Sequence, residues 1–346
     1  MNEEQYRDGA RLVADIGGTN ARFALERGPG WIDETETLAC ADYPRFQDAA
    51  RAYLERHGAH AAQVRHAVIA IANPVDGDVV KMTNHCWEFS LQAARAELGL
   101  ETLLAVNDFA ALAMAVPQLA ASELVQVGGG APALDGVIGL VGAGTGLGVA
   151  ALVPGHGRWT VLQSEGGHVA FSPADRREQE ILAHCWQRWE HVSAERLVSG
   201  PGLALIHEAL QARAGLAAAP LEPATIVERA LIGADPLCVE TLDTFCGMLG
   251  TVAANLAVTL CARGGIYIGG GVVPRLGEWF ARSSFRSRFE NKGRFSNFAA
   301  RIPCFVIHAP YPALAGAAAM LAEHLDAQGA TATLQQPTME VRHGHA

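Results

Sequence analysis

Two short apolar runs, each entering a glycine turn and leaving it as a further run of strand character, constrain this chain most. Leu12 to Ala14 leads into Asp15, Ile16 to Asn20 is a turn, and Ala21 to Leu25 reads as the returning strand. Val137 to Val141 leads into Gly142-Ala143-Gly144-Thr145-Gly146, and Leu147 to Leu152 is apolar again. Apolar runs joined by so short a turn are hairpins. The same unit recurring roughly one domain length later predicts an internally duplicated α/β architecture with two facing glycine turns. With 346 residues, half of them apolar, the chain can fill a core in each of about two domains.

Between and beyond the hairpins the pattern alternates. His66 to Ala72 reads as a strand, and Val75-Asp76-Gly77-Asp78-Val79 as a second kind of hairpin turn, with an Asp-Gly signal. Ser90 caps a helix running toward Gly99, Leu103 to Val106 is a strand ending on Asn107-Asp108, and a helix from Phe109 stops at Pro117. Gly128 to Gly136 has linker composition. Arg176 to Arg263 is mostly helical, Ile266 to Ile268 enters Gly269-Gly270-Gly271, Phe305 to Ile307 is a strand, and Leu314 to Leu325 is an Ala-rich helix. The expected division is a small domain of residues 1–118 plus 305–326, a large domain of 119–304 with helical insertions, and a polar, disordered tail over 327–346.

Charge narrows the partners. Lys and Arg number 26 against 36 for Asp and Glu, a net charge of −10, and no basic run offsets it, so nucleic acid and anionic membrane are disfavoured. Phe245 to Ala262 is uncharged and near membrane-spanning length. It carries Thr251, Asn255, Thr259 and many small residues, which favours a buried helix. The seven cysteines form no CxxC pair and no zinc-type Cys/His cluster, and read as scattered core thiols in a reducing compartment. The acidic N-terminus has too short an apolar run for a signal peptide, so the expected address is the cytoplasm.

The first turn joins an acid to two adjacent glycines, a hydroxyl and a carboxamide. Such a turn can bind phosphate oxygens through its amides, Thr19 and Asn20, while Asp15 holds a water of a phosphate-bound Mg²⁺. A single turn of this kind is more often plain hairpin geometry. A second one, with Gly144, Thr145 and Gly146, shifts the weight, because a nucleotide's phosphates must be gripped from more than one side. Neither turn matches G-x-G-x-x-G, and G-x-x-x-x-G-K-[ST] is absent. Gly269 to Gly271 can let a flat adenine ring lie against backbone. Asp108, at a strand-to-helix junction beside Asn107, can take the proton from an alcohol attacking a phosphoryl group; the plainer role is a helix cap. Glu165, His168 and Glu195 lie beside glycine turns and suit a small polyol, whose hydroxyls both donate and accept. No H-E-x-x-H, no G-x-S-x-G and no His-paired cysteine context occurs, which leaves metal hydrolysis and nucleophilic catalysis without support.

Taken together, LVADIGGTNARFAL (Leu12–Leu25), IANPVDGDVVKMTNHCWEFS (Ile71–Ser90), VNDFAALA (Val106–Ala113), GAGTGLGVA (Gly142–Ala150), SEGGHVAFSP (Ser164–Pro173), SAERLVSGPGL (Ser193–Leu203) and IYIGGGVVPRL (Ile266–Leu276) resemble the bacterial glucokinases of the non-ROK type, within the hexokinase and actin-like ATPase superfamily. The resemblance runs to about Leu325. It implies a duplicated actin-like ATPase, ribonuclease H-like fold of two domains with an interdomain cleft, and ATP-dependent phosphorylation of glucose at the 6-hydroxyl, feeding glycolysis. By the same resemblance Asp108 is the general base, Asn107 and Asp108 bind the distal sugar hydroxyls, and Glu165, His168 and Glu195 bind those nearer the anomeric end. Ala14, Asp15, Ile16, Gly17, Gly18, Thr19 and Asn20, with Gly144, Thr145 and Gly146, would cradle the phosphates of ATP. Mg²⁺ is held through the nucleotide rather than directly, with Asp15 in its outer shell. Gly269, Gly270 and Gly271 would border the adenosine, and Asn84-His85-Cys86-Trp87 would lie beside the sugar. A homodimer is implied as well. Ala143 stands where the family often has Pro, and His343 and His345 match no family role. The zinc motif of ROK sugar kinases is missing. The other readings are a kinase for mannose or an amino sugar, and a non-catalytic sugar sensor. The sensor is weakened by the intact Asp108 and by reaching the first strand at Leu12 with no helix-turn-helix ahead of it.

Overall fold

The structure is a computed structural model that describes residues 6, 9–58, 63–73, 75–82, 87–155, 157–217 and 219–334. They divide into two compact units, one running to Ala115 and resuming at Tyr311, the other spanning Val116–Pro310.

In the first unit, β1 (Arg11–Ile16), β2 (Asn20–Gly28), β3 (Trp31–Ala39), β4 (His66–Ile71) and β7 (Thr102–Asn107) form a sheet in the order β3-β2-β1-β4-β7. β1, β2 and β3 are antiparallel neighbours, while β4 and β7 run parallel to β1. β5 (Val79–Lys81) pairs with β6 (Glu88–Ser90) in a separate ribbon. The Asp76-Gly77 turn therefore does not join two neighbouring strands of one sheet, as its hairpin signal predicts; it carries the chain from β4 to this ribbon. Ser90 does cap the helix Leu91–Glu97, its Oγ accepting the N–H of Ala93.

Both faces of this sheet are covered, which is why its central strands read as near-continuous apolar runs. Leu12, Ala14 and Ile16 join a core with Phe23, Phe46 and Tyr53, the last two from the helix Phe46–Arg56. Val13, Val68 and Val106 pack on the other side against Leu314, Ala317 and Leu321 of the helix Pro312–Leu334. That helix crosses Asp108–Ala115 so closely that a Cβ at Gly316 would overlap the carbonyl of Ala111.

The second unit holds β8 (Leu124–Val127), β9 (Ile138–Ala143), β10 (Leu147–Gly155), β11 (Arg158–Ser164), β12 (Gly265–Gly269) and β13 (Cys304–Ile307), ordered β11-β10-β9-β12-β13-β8. Apart from β8 on the edge, β9 takes the place of β1, β10 of β2, β11 of β3, β12 of β4 and β13 of β7, with the same parallel and antiparallel pairings. The duplication read from the two hairpins is thus present in the strand order.

Three boundaries differ from expectation. Residues 305–307 belong to the second unit, where β13 lies hydrogen-bonded between β12 and β8, and only the chain from Tyr311 returns to the first. Gly128 to Gly136 is a loop inside the second unit joining β8 to β9, since glycine composition marks a loop but not which elements it joins. The tail expected from 327 is helical to Leu334, because the terminal helix continues through Gln328 and Gly329; residues 335–346, with His343 and His345, lie outside the described residues.

Among the described residues one helix, Pro236–Leu260, is long and apolar enough to cross a membrane, and 72% of its apolar window is buried within the protein. Phe245, Leu249 and Ala253 sit in the core of the second unit, and the hydroxyls of Thr241, Thr244 and Thr251 donate back to carbonyls one turn earlier. This helix is the main core element of its unit.

Gly316 separates two effects. Replacing a mid-helix glycine by alanine ordinarily stabilises by about 1 kcal/mol, whereas forcing a methyl group into a filled contact costs roughly 1–3 kcal/mol. Gly316→Ala is expected to lower the thermal unfolding midpoint; a rise would show that the helix crossing yields.

Candidate active site

In the first unit the turn after β1 is held from behind. The Gly17 N–H donates to the Asn20 carbonyl at 2.9 Å, the Thr19 carbonyl accepts the Cys40 N–H at 2.9 Å, and the Gly17 carbonyl accepts from the Cys40 thiol at 3.6 Å. The N–H groups of Gly18 and Thr19 have no backbone partner among the described residues. They remain for an anion. Asp15 stands opposite Arg22 in the β1–β2 register, with Nη1 to Oδ2 at 3.1 Å, and the Arg22 guanidinium lies 5.4 Å from the Tyr311 ring centre. Burial pushes the Asp15 carboxyl above the usual carboxylate range, and Arg22 partly offsets this. Ala14 and Ile16 are fully buried core residues, so they shape the strand and leave contact to the turn.

At the end of β7 the two neighbouring polar residues divide their work. Asn107 Oδ1 accepts the N–H groups of Phe109 and Ala110, both at 3.0 Å, and its Nδ2 donates to the Asn73 carbonyl at 3.3 Å. Asn107 is therefore the helix cap, a role that sequence alone left open to Asp108. The Asp108 carboxylate accepts the Phe109 N–H at 2.8 Å through Oδ1 and stands on the first residue of the helix, where negative charge is stabilised. Among the described residues Asn107 keeps one amide N–H beyond these bonds. Asn73, unnoticed in the sequence, braces the junction, since its own Nδ2 donates to the Lys81 carbonyl at 2.8 Å.

The second unit brings together the remaining predicted residues. The Gly144 N–H donates to the Gly146 carbonyl at 2.8 Å, closing the turn. The Gly144 carbonyl accepts the Gly200 N–H at 2.7 Å, and the Ala143 carbonyl accepts the Val272 N–H at 3.1 Å. The turn, the segment Gly269–Gly271 and the start of the helix Gly200–Arg213 thus meet backbone to backbone. Glu195 Oε2 accepts the Leu147 N–H at 2.9 Å and lies so near Gly146 that a Cβ there would overlap it. Its other oxygen is 3.9 Å from His168 Nδ1, and His168 Nε2 is 3.8 Å from Glu165 Oε2. Both separations exceed a hydrogen bond, so the imidazole and both carboxylates keep capacity for a ligand. His191 steadies the loop, its Nε2 3.0 Å from the His168 carbonyl. Of the loop Asn84-His85-Cys86-Trp87, only Trp87 is among the described residues; it is buried, and its indole N–H donates to the Tyr43 carbonyl.

A ribonuclease H-like sheet repeated in two units, each opening on a glycine hairpin, is the architecture of the actin-like ATPases. The chain belongs to the glucokinase family: the family model described as Glucokinase matches residues 12–324. It is 54% identical to a glucokinase of Chromobacterium violaceum over 328 residues, 95% of this chain and 94% of that protein. It is also 56% identical to a "Bifunctional protein glk" of Paraburkholderia xenovorans over 322 residues, 93% of this chain and 50% of that protein. The chain thus spans about half the length of the first curated relatives it matches. Among solved structures, a glucokinase from an Antarctic psychrotroph superposes with a TM-score of 0.82 at 35% identity, covering 91% of this chain and 99% of that one.

Asp15 gives a pH signature. A carboxyl whose folded pKa is raised contributes stability below its unfolded value, near 3.9, and that contribution is lost as pH rises through the folded value. Asp15→Asn is therefore expected to unfold at a higher temperature than the wild type at pH 7, with the gap closing as pH approaches about 4. A gap constant across this range would show that Arg22 cancels the burial.

Proposed function

We propose that this chain is a glucokinase that transfers the γ-phosphoryl group of ATP to the 6-hydroxyl of D-glucose. The observation that carries the reading is the division of labour at the end of β7. Asn107 caps the helix, and Asp108 sets a carboxylate on its first residue, beside that cap. Asp108 takes the proton from the glucose 6-hydroxyl as that oxygen bonds to the γ-phosphorus; the bond to the β–γ bridging oxygen breaks, and ADP leaves with the electron pair. The proton on Asp108 returns to solvent after release. Such transfer needs little covalent help, so binding and charge placement do most of the work.

Glu165, His168 and Glu195 bind the hydroxyls toward the anomeric end, and Asn107 with Asp108 binds the distal ones. The amides of Gly18 and Thr19 and the Thr19 and Asn20 side chains hold phosphate oxygens on one unit. Gly144, Thr145 and Gly146 do so on the other, and Gly269 to Gly271 flank the adenosine. Mg²⁺ enters as part of the nucleotide substrate. Among the described residues no group of three or more His, Cys, Asp or Glu can hold a metal, and Asp15, already ion-paired, suits acceptance from a metal-bound water. The metal supplies charge neutralisation on the phosphates. We place the enzyme in the cytoplasm, in keeping with cysteines that form no disulfide among the described residues, and as a homodimer, the commonest closed assembly.

In a coupled assay of ADP release with Mg-ATP and a panel of hexoses, glucose is expected to give the highest kcat/KM; preference for mannose or an amino sugar would move the assignment to that acceptor. Asp108→Ala is expected to lower kcat by about 10²–10⁴-fold with a modest loss of glucose affinity, and near-normal kcat would remove the base assignment. Glu165→Ala and His168→Ala are expected to raise KM for glucose strongly, because each leaves sugar hydroxyls unpaired. An unchanged KM in both would take them out of the sugar site.

A further inference from the structure

The second unit has a cavity of about 470 Å³ that the proposed reaction does not use, between the helix Gly200–Arg213, Trp189 and Arg196. We propose that this cavity binds a small phosphomonoester, with Arg196 holding the phosphate and Trp189 lying under the organic part.

Arg196 forms no ion pair with a carboxylate among the described residues, and its guanidinium carbon is 4.4 Å from the Trp189 ring centre. Stacking of this kind holds the planar fork in one orientation while its N–H donors stay uncommitted, which is what bidentate recognition of phosphate requires. Arg188 lies 5.9 Å from the same ring, and its guanidinium donates to Glu208 at 3.0 Å. The cavity wall thus sets two guanidiniums against one carboxylate in a chain of net charge −10. That local excess selects an anion. A second observation points inward. His207 lines the cavity, is only 2% exposed, and has no hydrogen-bond partner among the described residues. Burial pushes its pKa down, with the nearby Asp235 carboxylate partly opposing this; the neutral imidazole has one donor and one acceptor to offer. Trp189, Pro201 and Leu221 supply an apolar floor suited to the face of a pyranose or a nucleobase.

The same two elements that wall the cavity hold the glycine hairpin. Gly200, beside Pro201, donates its N–H to the Gly144 carbonyl, and Glu195, beside Arg196, accepts that of Leu147.

Isothermal titration of the full chain with glucose 6-phosphate, AMP and inorganic phosphate tests the site without requiring turnover, so it stands apart from the fate of the kinase reading. At least one ester is expected to bind, to weaken by about tenfold or more in Arg196→Gln and in Trp189→Leu, and to persist in Asp15→Asn and Asp108→Ala. A preference for glucose 6-phosphate supports a sugar phosphate as the natural ligand, and a preference for AMP a nucleotide. Absence of binding, binding unchanged in Arg196→Gln, or binding lost only in Asp15→Asn or Asp108→Ala overturns the proposal. Inorganic phosphate binding as tightly as either ester overturns the part assigned to Trp189.

Discussion

Where β9 turns into β10, main-chain groups from three separate segments satisfy one another, and the geometry of the second unit's site follows from that contact. Gly200 donates to Gly144, Val272 to Ala143, and Gly144 to Gly146 across the turn. Peptide groups this close leave no volume for side chains. A Cβ at Gly270, which has φ of 78°, would overlap the backbone of Ala143, and one at Gly146 would overlap the Glu195 carboxylate. While those carbonyls are consumed inside the fold, the N–H groups of Thr145 and Gly146 have no backbone partner among the described residues. Glu195 is bonded into this backbone knot through the Leu147 N–H, and its other oxygen stands 3.9 Å from the His168 imidazole.

The first unit reaches a similar end by other means. There one residue, Cys40 at the end of β3, occupies both the Thr19 and the Gly17 carbonyls, through its N–H and its thiol. Asp15 is held by Arg22 from the adjacent strand. The two hairpins occupy equivalent positions in equivalent sheets, yet their supports differ, since in one unit a neighbouring strand lies behind the turn and in the other two helix-bearing segments do. At β7 the work is divided differently: Asn107 caps the helix with its carboxamide, and Asp108 sets a carboxylate on the first helical residue, where it accepts the Phe109 N–H.

Much of this was legible in the chain. The hairpins, the strand running into Asn107-Asp108, the Gly269–Gly271 turn and the buried character of the long apolar helix all follow from local periodicity and turn chemistry, and each is found. What failed was assignment across distance. Phe305 to Ile307 reads as a strand, but nothing in those residues says that its hydrogen-bond partners are β12 and β8. The Asp76-Gly77 turn carries a hairpin signal, and only the pairing of β5 with β6 shows that it leads out of the main sheet. Likewise Asn73 holds Asn107 through its own carbonyl, Cys40 holds the first turn through two bonds to its carbonyls, and His191 holds the His168 carbonyl, roles that have no composition or spacing to reveal them.

Short-range physics therefore determined the parts from sequence alone: which runs are strands, where glycine must turn the chain, and which polar residues stand at the ends of elements. Those outcomes depend on neighbours a few residues away, and the amino-acid order states them directly. The tertiary structure decided which of two adjacent residues caps a helix, which sheet a strand joins, that Glu195 serves a hairpin 48 residues before it, and that Arg196 stacks on Trp189 at the edge of a cavity. Each of these depends on which distant atoms compete for the same hydrogen bond or the same volume, and that competition exists only once the chain has folded.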